Sequence, residues 1–308
     1  MKPLVVGTRG SALALAQAEM TEKALSMQFP DREIIRKIIK TTGDRRTDVP
    51  LSQVAKVEGV LDKGVFTKEL EVALEQGEVD LAVHSMKDVP TVLADHFMIA
   101  GALERAPVRD VLVCSEAESL DSLPEGAVVA TSSVRRQRQL SWLRPDIKLV
   151  DIRGNVPTRL KKLRDNNELD AIMLAEAGLV RLGYDLSAEL EGGLHAVALE
   201  PAEFLPAAGQ GIVGFEIRKG DEDTKLCVDA INHRESMLLL RSEREFLRLL
   251  DAGCHTPVGV RSWMEDETLF MEARVFDEQS NDKPTESSVS GKMTEPEQVA
   301  GELYDSLK

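Results

Sequence analysis

The sequence predicts an α/β protein of two similarly built lobes joined by a two-strand hinge, followed by a smaller α+β unit. Three observations carry this. Short apolar runs of strand length alternate with helix-period segments through most of the 308 residues, the pattern of a sheet covered by helices. The plan of residues 5–17 (Val-Val, a small residue, Thr, a capping Ser, then a helix) returns at 128–140, so two lobes share one design. After residue 218 the pattern changes to one long amphipathic helix and several short strands. The expected units are 1–103 with 199–218, an inserted 104–198, and 219–308.

Residues 3–7 form a buried strand, Gly7-Thr8-Arg9-Gly10 a tight turn, and Ser11 the N-cap of a helix reaching about Met27. Arg9 therefore stands beside a helix amino terminus, where free N–H groups and a guanidinium together favour an anion. The polar, mixed-charge stretch 41–64 reads as a long mobile loop or lid. Thr67 is placed to cap a helix with Phe66, Leu70, Val72, Ala73 and Leu74 on its apolar face.

The next stretch organises the chain. Leu81, Ala82 and Val83 make a short apolar strand, and then His84, Ser85, Lys87 and Asp88 follow before Pro90 bars further pairing. In open α/β sheets ligands bind outside the carboxyl ends of strands, so an adjacent ammonium and carboxylate there mark a candidate site.

The second lobe opens with the strand Asp110–Cys114. Its repeat of the first plan sets Ser132, Ser133, Arg135 and Arg136 where Arg9 and Ser11 stand in the first lobe. Strand 147–152 feeds Arg153-Gly154-Asn155 and a helix bearing Arg159, Lys161, Lys162 and Arg164; strand Leu169–Leu174 precedes a short helix with Arg181. Residues 131–164 hold ten Lys/Arg against two Asp/Glu, in a protein whose net charge is -15. Arg135, Arg136 and Arg153 fall at strand–helix turns, which points to a small, multiply anionic ligand. Gly209 and Gly211 precede the strand Ile212–Ile217 and would permit close backbone approach to a ligand.

In the third unit Leu239, Leu240, Phe246, Leu247 and Leu250 form one helical stripe that Gly253 is placed to stop. Short strands follow, Leu269–Phe276 among them, and Thr294 with Glu297 has the spacing of a capping box. Cys114 and Cys227 lie in apolar surroundings. Cys254, in the polar turn Gly-Cys-His-Thr-Pro, is instead a candidate nucleophile or covalent anchor.

Charge and composition narrow the function. A pI near 4.9 gives a field that repels nucleic acid and anionic membranes, so neither is expected as a partner. No metal is expected, since the five histidines show no ligand spacing. The three cysteines form no disulfide framework, and with no signal peptide or transmembrane run the expected setting is the cytoplasm.

Taken in order, Thr8-Arg9-Gly10-Ser11, Lys68-Glu69-Leu70-Glu71, Val83-His84-Ser85-Met86-Lys87-Asp88-Val89-Pro90, Thr131-Ser-Ser-Val-Arg-Arg136, Arg153-Gly-Asn155, Gly209-Gln-Gly211 and Gly253-Cys254 resemble the porphobilinogen deaminase (hydroxymethylbilane synthase) family over essentially the full length. The resemblance implies two lobes like type II periplasmic binding proteins and a third domain that carries the cofactor. It implies a transferase of tetrapyrrole biosynthesis, acting as a monomer, that joins four porphobilinogen molecules head to tail into hydroxymethylbilane and releases four ammonia. It further implies one covalent dipyrromethane cofactor, tethered as a thioether to Cys254.

By the same resemblance Asp88 is the catalytic carboxylate, set against pyrrole N–H groups and stabilising the cationic azafulvene formed as ammonia leaves. Lys87, Asp88, Ser133, Arg135, Arg136 and Arg159 would hold the cofactor, and Arg9, Ser11, Arg153, Arg159 and Arg181 the substrate. The lengthened run Lys56–Lys63, Ala130, Asp251-Ala252 and Pro206-Ala-Ala-Gly depart from the usual family pattern without removing any of these residues. The competing class is a non-catalytic two-lobed binding protein for a polycarboxylate, which accounts for the hinge and the arginines but not for Cys254 or the Lys87-Asp88 pair. A Cys-dependent hydrolase is a more distant alternative.

Overall fold

The computed structural model describes residues 2–45, 66–252, 256–277 and 283–308. Strand β1 (Leu4–Arg9) leads into α1 (Ala12–Gln28), where the Ser11 hydroxyl accepts from the Ala14 amide at 3.3 Å, a cap worth about 1 kcal/mol. Then come β2 (Ile34–Ile39), the one-turn α2 (Thr42–Arg45), α3 (Lys68–Glu75), β3 (Leu81–Ser85), a single 3-10 turn at Met86–Asp88, and β4 (Phe97–Ala102). The chain continues through β5 (Asp110–Cys114), β6 (Val128–Ala130), α4 (Val134–Leu143), β7 (Lys148–Val150), α5 (Val156–Arg164), β8 (Ala171–Ala175), α6 (Glu176–Arg181) and β9 (His195–Ala198). It ends with β10 (Val213–Arg218), α7 (Glu222–Ile231), α8 (Arg234–Leu249), β11 (Val258–Glu265), β12 (Thr268–Val275), β13 (Thr285–Lys292) and α9 (Pro296–Asp305).

Two five-stranded sheets share one plan, β2-β1-β3-β10-β4 and β7-β6-β8-β5-β9. In each the first three strands are parallel and the fourth is antiparallel to both neighbours. Strands β1 and β6 hold the same second place, so the repeated sequence plan is a repeated position in the sheet. The fourth strand of each sheet is the first one formed after the chain crosses between them. Those crossings, 103–109 and 199–212, lie side by side: the Leu103 amide donates to Val213 O at 2.9 Å and the Ala106 amide to Gly211 O at 3.0 Å.

The first core gathers Leu4, Val6, Leu25, Leu81, Phe215 and Ile217; the second sheet is packed on both faces, around Leu112 and Met173 on one and Ile172 and Leu174 on the other. Helix α7 differs from expectation. Although 219–308 reads as one unit, Cys227 and Val228 enter the core of the first sheet. Buried Arg32 fixes the helix there, donating to Asp223 at 2.5 and 3.2 Å and to Cys227 Sγ at 3.0 Å. The third unit proper is the antiparallel meander β11-β12-β13 with α8 and α9 over it, built around Phe246, Val260, Met271 and Leu303.

Three capping expectations also change. Thr67 precedes α3 without a side-chain cap bond, and Ser133 does the same for α4. The final helix starts one residue late for the Thr294–Glu297 box: Glu295 is its N-cap and Pro296, with φ already set, its first residue. The expected lid falls mostly outside the described residues, Lys56 and Lys63 included, as do Cys254 and His255.

Candidate active site

Residues that follow the carboxyl ends of β3 and β6 come within electrostatic reach of one another, Lys87 with Arg135 and Arg136. Strand β3 ends at Ser85, and the 3-10 turn then carries Lys87 and Asp88 outward with both side chains exposed to the cleft. The turn is held from beneath: the Met86 amide donates to Ile212 O at 3.0 Å, and the Val89 amide to Met86 O at 3.3 Å. Asp88 lines one pocket with Arg9, Ser11, Gln17 and Ser85. Arg9 lies with its guanidinium 4.1 Å from the centre of the Phe66 ring, a contact worth about 0.5–1 kcal/mol at such sites. Gln17, 2% exposed, donates to Ser85 Oγ at 2.7 Å. His84 also lines this pocket, and its Nε2 is 2.8 Å from Glu216 Oε2 on the neighbouring strand.

From the second lobe, Arg135 and Arg136 approach at the start of α4, but both are buried and both engage Asp110. Arg135 Nη1 donates to Asp110 Oδ2 and to Leu205 O, each at 2.6 Å. Arg136 donates to Asp110 Oδ1 from Nε at 3.1 Å and Nη2 at 2.6 Å, and to Met173 O from Nη1 at 2.9 Å. Burial works to raise the Asp110 carboxyl, yet the two guanidiniums outweigh it and hold it well below the usual carboxylate range. One carboxylate thus answers two cations, and a net positive charge remains.

That surplus is felt across the cleft. Lys87 remains accessible at its surface but sits deep between the lobes; desolvation, then Arg136, pushes its ammonium down to about 8. Arg159 is lowered to about 10 by desolvation, then by Arg136 and Arg153, with Asp88 opposing. These couplings bring Lys87, Asp88, Arg136, Arg153 and Arg159 into one electrostatic group. Ser133 stays at the α4 amino terminus, its amide on Thr131 Oγ1 at 3.3 Å. Arg181 is turned to the hinge, donating to Gly211 O at 2.6 Å, while its buried Nε has no hydrogen-bond partner among the described residues.

The glycines of the hinge turn approach the protein's own chain, not an open ligand space. At Gly209, φ is +70° and a Cβ would lie 3.2 Å from the Lys87 amide nitrogen; at Gly211, φ is +85° and a Cβ would lie 2.4 Å from Ala106 O. Between them Gln210, fully buried, donates from Nε2 to Asp110 Oδ1 at 3.0 Å and to Val108 O at 2.7 Å, while Lys87 Nζ lies 3.5 Å from its Oε1. Gln17, Asp110 and Gln210 are the residues that reading the sequence missed. Only Asp110 carried a signal, an ionisable residue heading an otherwise apolar strand.

The family described as "Porphobilinogen deaminase, dipyromethane cofactor binding domain" matches residues 4–226, and "Porphobilinogen deaminase, C-terminal domain" matches 237–308. A porphobilinogen deaminase of Chlorobium luteolum is 45% identical over 275 residues, covering 89% of this chain and 83% of the relative. That of Chloroherpeton thalassium is 41% identical over 268 residues, covering 87% and 81%. Among solved structures, the methionine-binding protein MetQ is 15% identical with a TM-score of 0.43, covering 74% of this chain and 89% of that one. With both family domains matched along its length and relatives above 40% identity, the chain belongs to the porphobilinogen deaminase family.

Proposed function

We propose that the chain is a transferase of tetrapyrrole biosynthesis that condenses four porphobilinogen molecules head to tail into hydroxymethylbilane, releasing four ammonia. Family membership supports the reaction. The observation that carries the site assignment is the cationic surplus around Asp88: Lys87 and Arg159 are both destabilised as cations, first by desolvation and then by neighbouring arginines. A polycarboxylate relieves that repulsion, and each porphobilinogen brings an acetate and a propionate. The same surplus fits the two carboxylate-bearing rings of a dipyrromethane group.

Lys87, Arg135, Arg136, Arg159 and Ser133 would hold that group, with Cys254 as its covalent tether. When bound, it supplies the pyrrole terminus to which the first substrate is joined. The chain's own residues do the rest. Arg9, Ser11, Arg153 and Arg181 orient substrate carboxylates through charge-assisted hydrogen bonds. Asp88 faces the reacting ring: as the aminomethyl C–N bond breaks and ammonia departs with the electron pair, positive charge develops on the pyrrole. A fixed carboxylate stabilises that charge and accepts the ring N–H.

The proposed units are 1–103 with 199–231, 104–198 and 232–308, the middle one inserted so that the crossings act as the hinge. The proposed state is a monomer. The buried free thiols Cys114 and Cys227 accord with a cytoplasmic setting. Among the described residues no helix is long and apolar enough to cross a membrane.

Intact mass under denaturing conditions tests the whole reading. The protein is expected to exceed its polypeptide mass by two deaminated porphobilinogen units and to gain single units on adding substrate, with no excess in Cys254→Ala. A mass that stays at the polypeptide value throughout overturns it in favour of a binding protein.

A further inference from the structure

Helix α8 belongs to the third unit, yet two consecutive residues on it grip the first lobe and the hinge. Glu243, fully buried, accepts from the Gly209 amide at 2.7 Å, from Arg105 at 2.7 and 3.2 Å, and from the Ser262 hydroxyl at 2.7 Å. That fixes α8 against both the hinge turn and β11.

Arg244 reaches the other way. Its Nη2 donates to Pro90 O at 2.7 Å and Thr91 O at 2.9 Å, and Nη1 lies 3.4 Å from Val89 O. These are three successive carbonyls of the segment that leaves Asp88. Pro90 prevents this segment from continuing the ladder of β3, so its position has to be set by contacts from outside the sheet. The Ile212 carbonyl holds the turn on one side of Asp88, through the Met86 amide, and Arg244 holds it on the other. A planar guanidinium with donors in a fixed fork defines the spacing of those carbonyls in a way one ammonium does not.

We infer that Arg244 is a positioning residue for the condensation: by clamping the carbonyls of Val89, Pro90 and Thr91 it fixes where the Asp88 carboxylate stands in the cleft. The third unit thereby sets the geometry of the catalytic turn in the first. This rests on the assignment of Asp88 to the chemistry.

The test uses full-length protein whose cofactor load has been verified by mass, as wild type, Arg244→Met, Arg244→Lys and Asp88→Asn. Two readouts are taken: amide hydrogen exchange of the peptide spanning 86–92, and steady-state kcat and KM per folded, loaded molecule. Arg244→Met is expected to speed exchange in that peptide by tenfold or more and to lower kcat about tenfold with KM within twofold; Arg244→Lys should fall between it and wild type. Should Arg244→Met fail to fold, Arg244→Lys carries the same comparison. Unchanged exchange overturns the clamp. Faster exchange with unchanged kcat, while Asp88→Asn is inactive, reduces Arg244 to a structural part and overturns the positioning role. Turnover retained in Asp88→Asn instead removes the underlying assignment, an outcome read separately from the exchange.

Discussion

Arg136 places two donors, Nε at 3.1 Å and Nη2 at 2.6 Å, on the same oxygen of the fully buried Asp110 carboxylate. With Arg135 on the other oxygen, the cluster joins β5, the first strand of the second lobe, to the helix that carries its anion-binding residues.

Asp110→Asn keeps the shape and removes the charge, leaving two buried guanidiniums without a counter-ion. Breaking such a pair costs about 3–5 kcal/mol. Denaturant unfolding is expected to show a loss of this size, and stability within about 0.5 kcal/mol of wild type would refute the account. The sign of the acid response also follows. A depressed native carboxyl contributes stability that is present above its unfolded value of about 4 and is lost as pH falls toward the lower native one, so the acid limb of stability should be shallower in the variant.

In the folded protein the Lys87 ammonium is pushed down to about 8, first by desolvation and then by Arg136. In the unfolded chain it keeps its proton to about 10.4, so between the two values the unfolded state binds more protons and stability attributable to Lys87 rises with pH. Substrate binding runs the other way. Once the ammonium is lost above about 8, a carboxylate of the dipyrromethane group loses its partner and the ring that receives the substrate is held less firmly, so KM should climb on the alkaline side. Lys87→Met should show a raised KM without that inflection; an unchanged inflection would assign it to another group.

Asp88→Asn should retain the cofactor mass and lose about 10²–10⁴-fold in turnover, the usual range for a group that moves or stabilises protons in a transition state. Near-normal turnover would remove Asp88 from the catalytic role.

Two glycines with similar backbone angles separate strain from crowding. Gly220, at φ +83°, has nothing among the described residues within 4 Å of the place a Cβ would take, whereas at Gly211, φ +85°, a Cβ would lie 2.4 Å from Ala106 O. Gly220→Ala is expected to cost about 1 kcal/mol from the left-handed backbone alone, and Gly211→Ala clearly more because the two hinge segments must separate. Equal thermal shifts in the two variants would count against the close packing of the crossings.

Much of the site was legible because local pattern encodes local structure. An apolar run that turns polar at Lys87-Asp88 marks a strand end, and a Thr-Ser-Ser-Val-Arg-Arg segment marks a helix start facing the same edge. Arg9, Ser11 and Asp88 do line one pocket, and Asp88, Arg153 and Arg159 do share one field. Less legible was where each charge is spent. Arg135 and Arg136 read as open anion binders, and their commitment to Asp110 depends on a strand 25 and 26 positions away.

The sequence by itself determined the α/β class, the repeated lobe, the late change to an α+β unit and the residues at the strand ends, since periodicity, turns and caps are set by near neighbours. Tertiary structure alone decided that α7 packs on the first lobe, that Gln210 ties Lys87 to Asp110, and that Arg244 holds the Asp88 turn. Those pairings bring together residues from about one hundred to more than one hundred and fifty positions apart, such as Gln210 with Asp110 and Arg244 with Pro90. No local pattern specifies such partners, because burying a charge or an amide fixes only that it must be satisfied, and the packed fold selects the group that satisfies it.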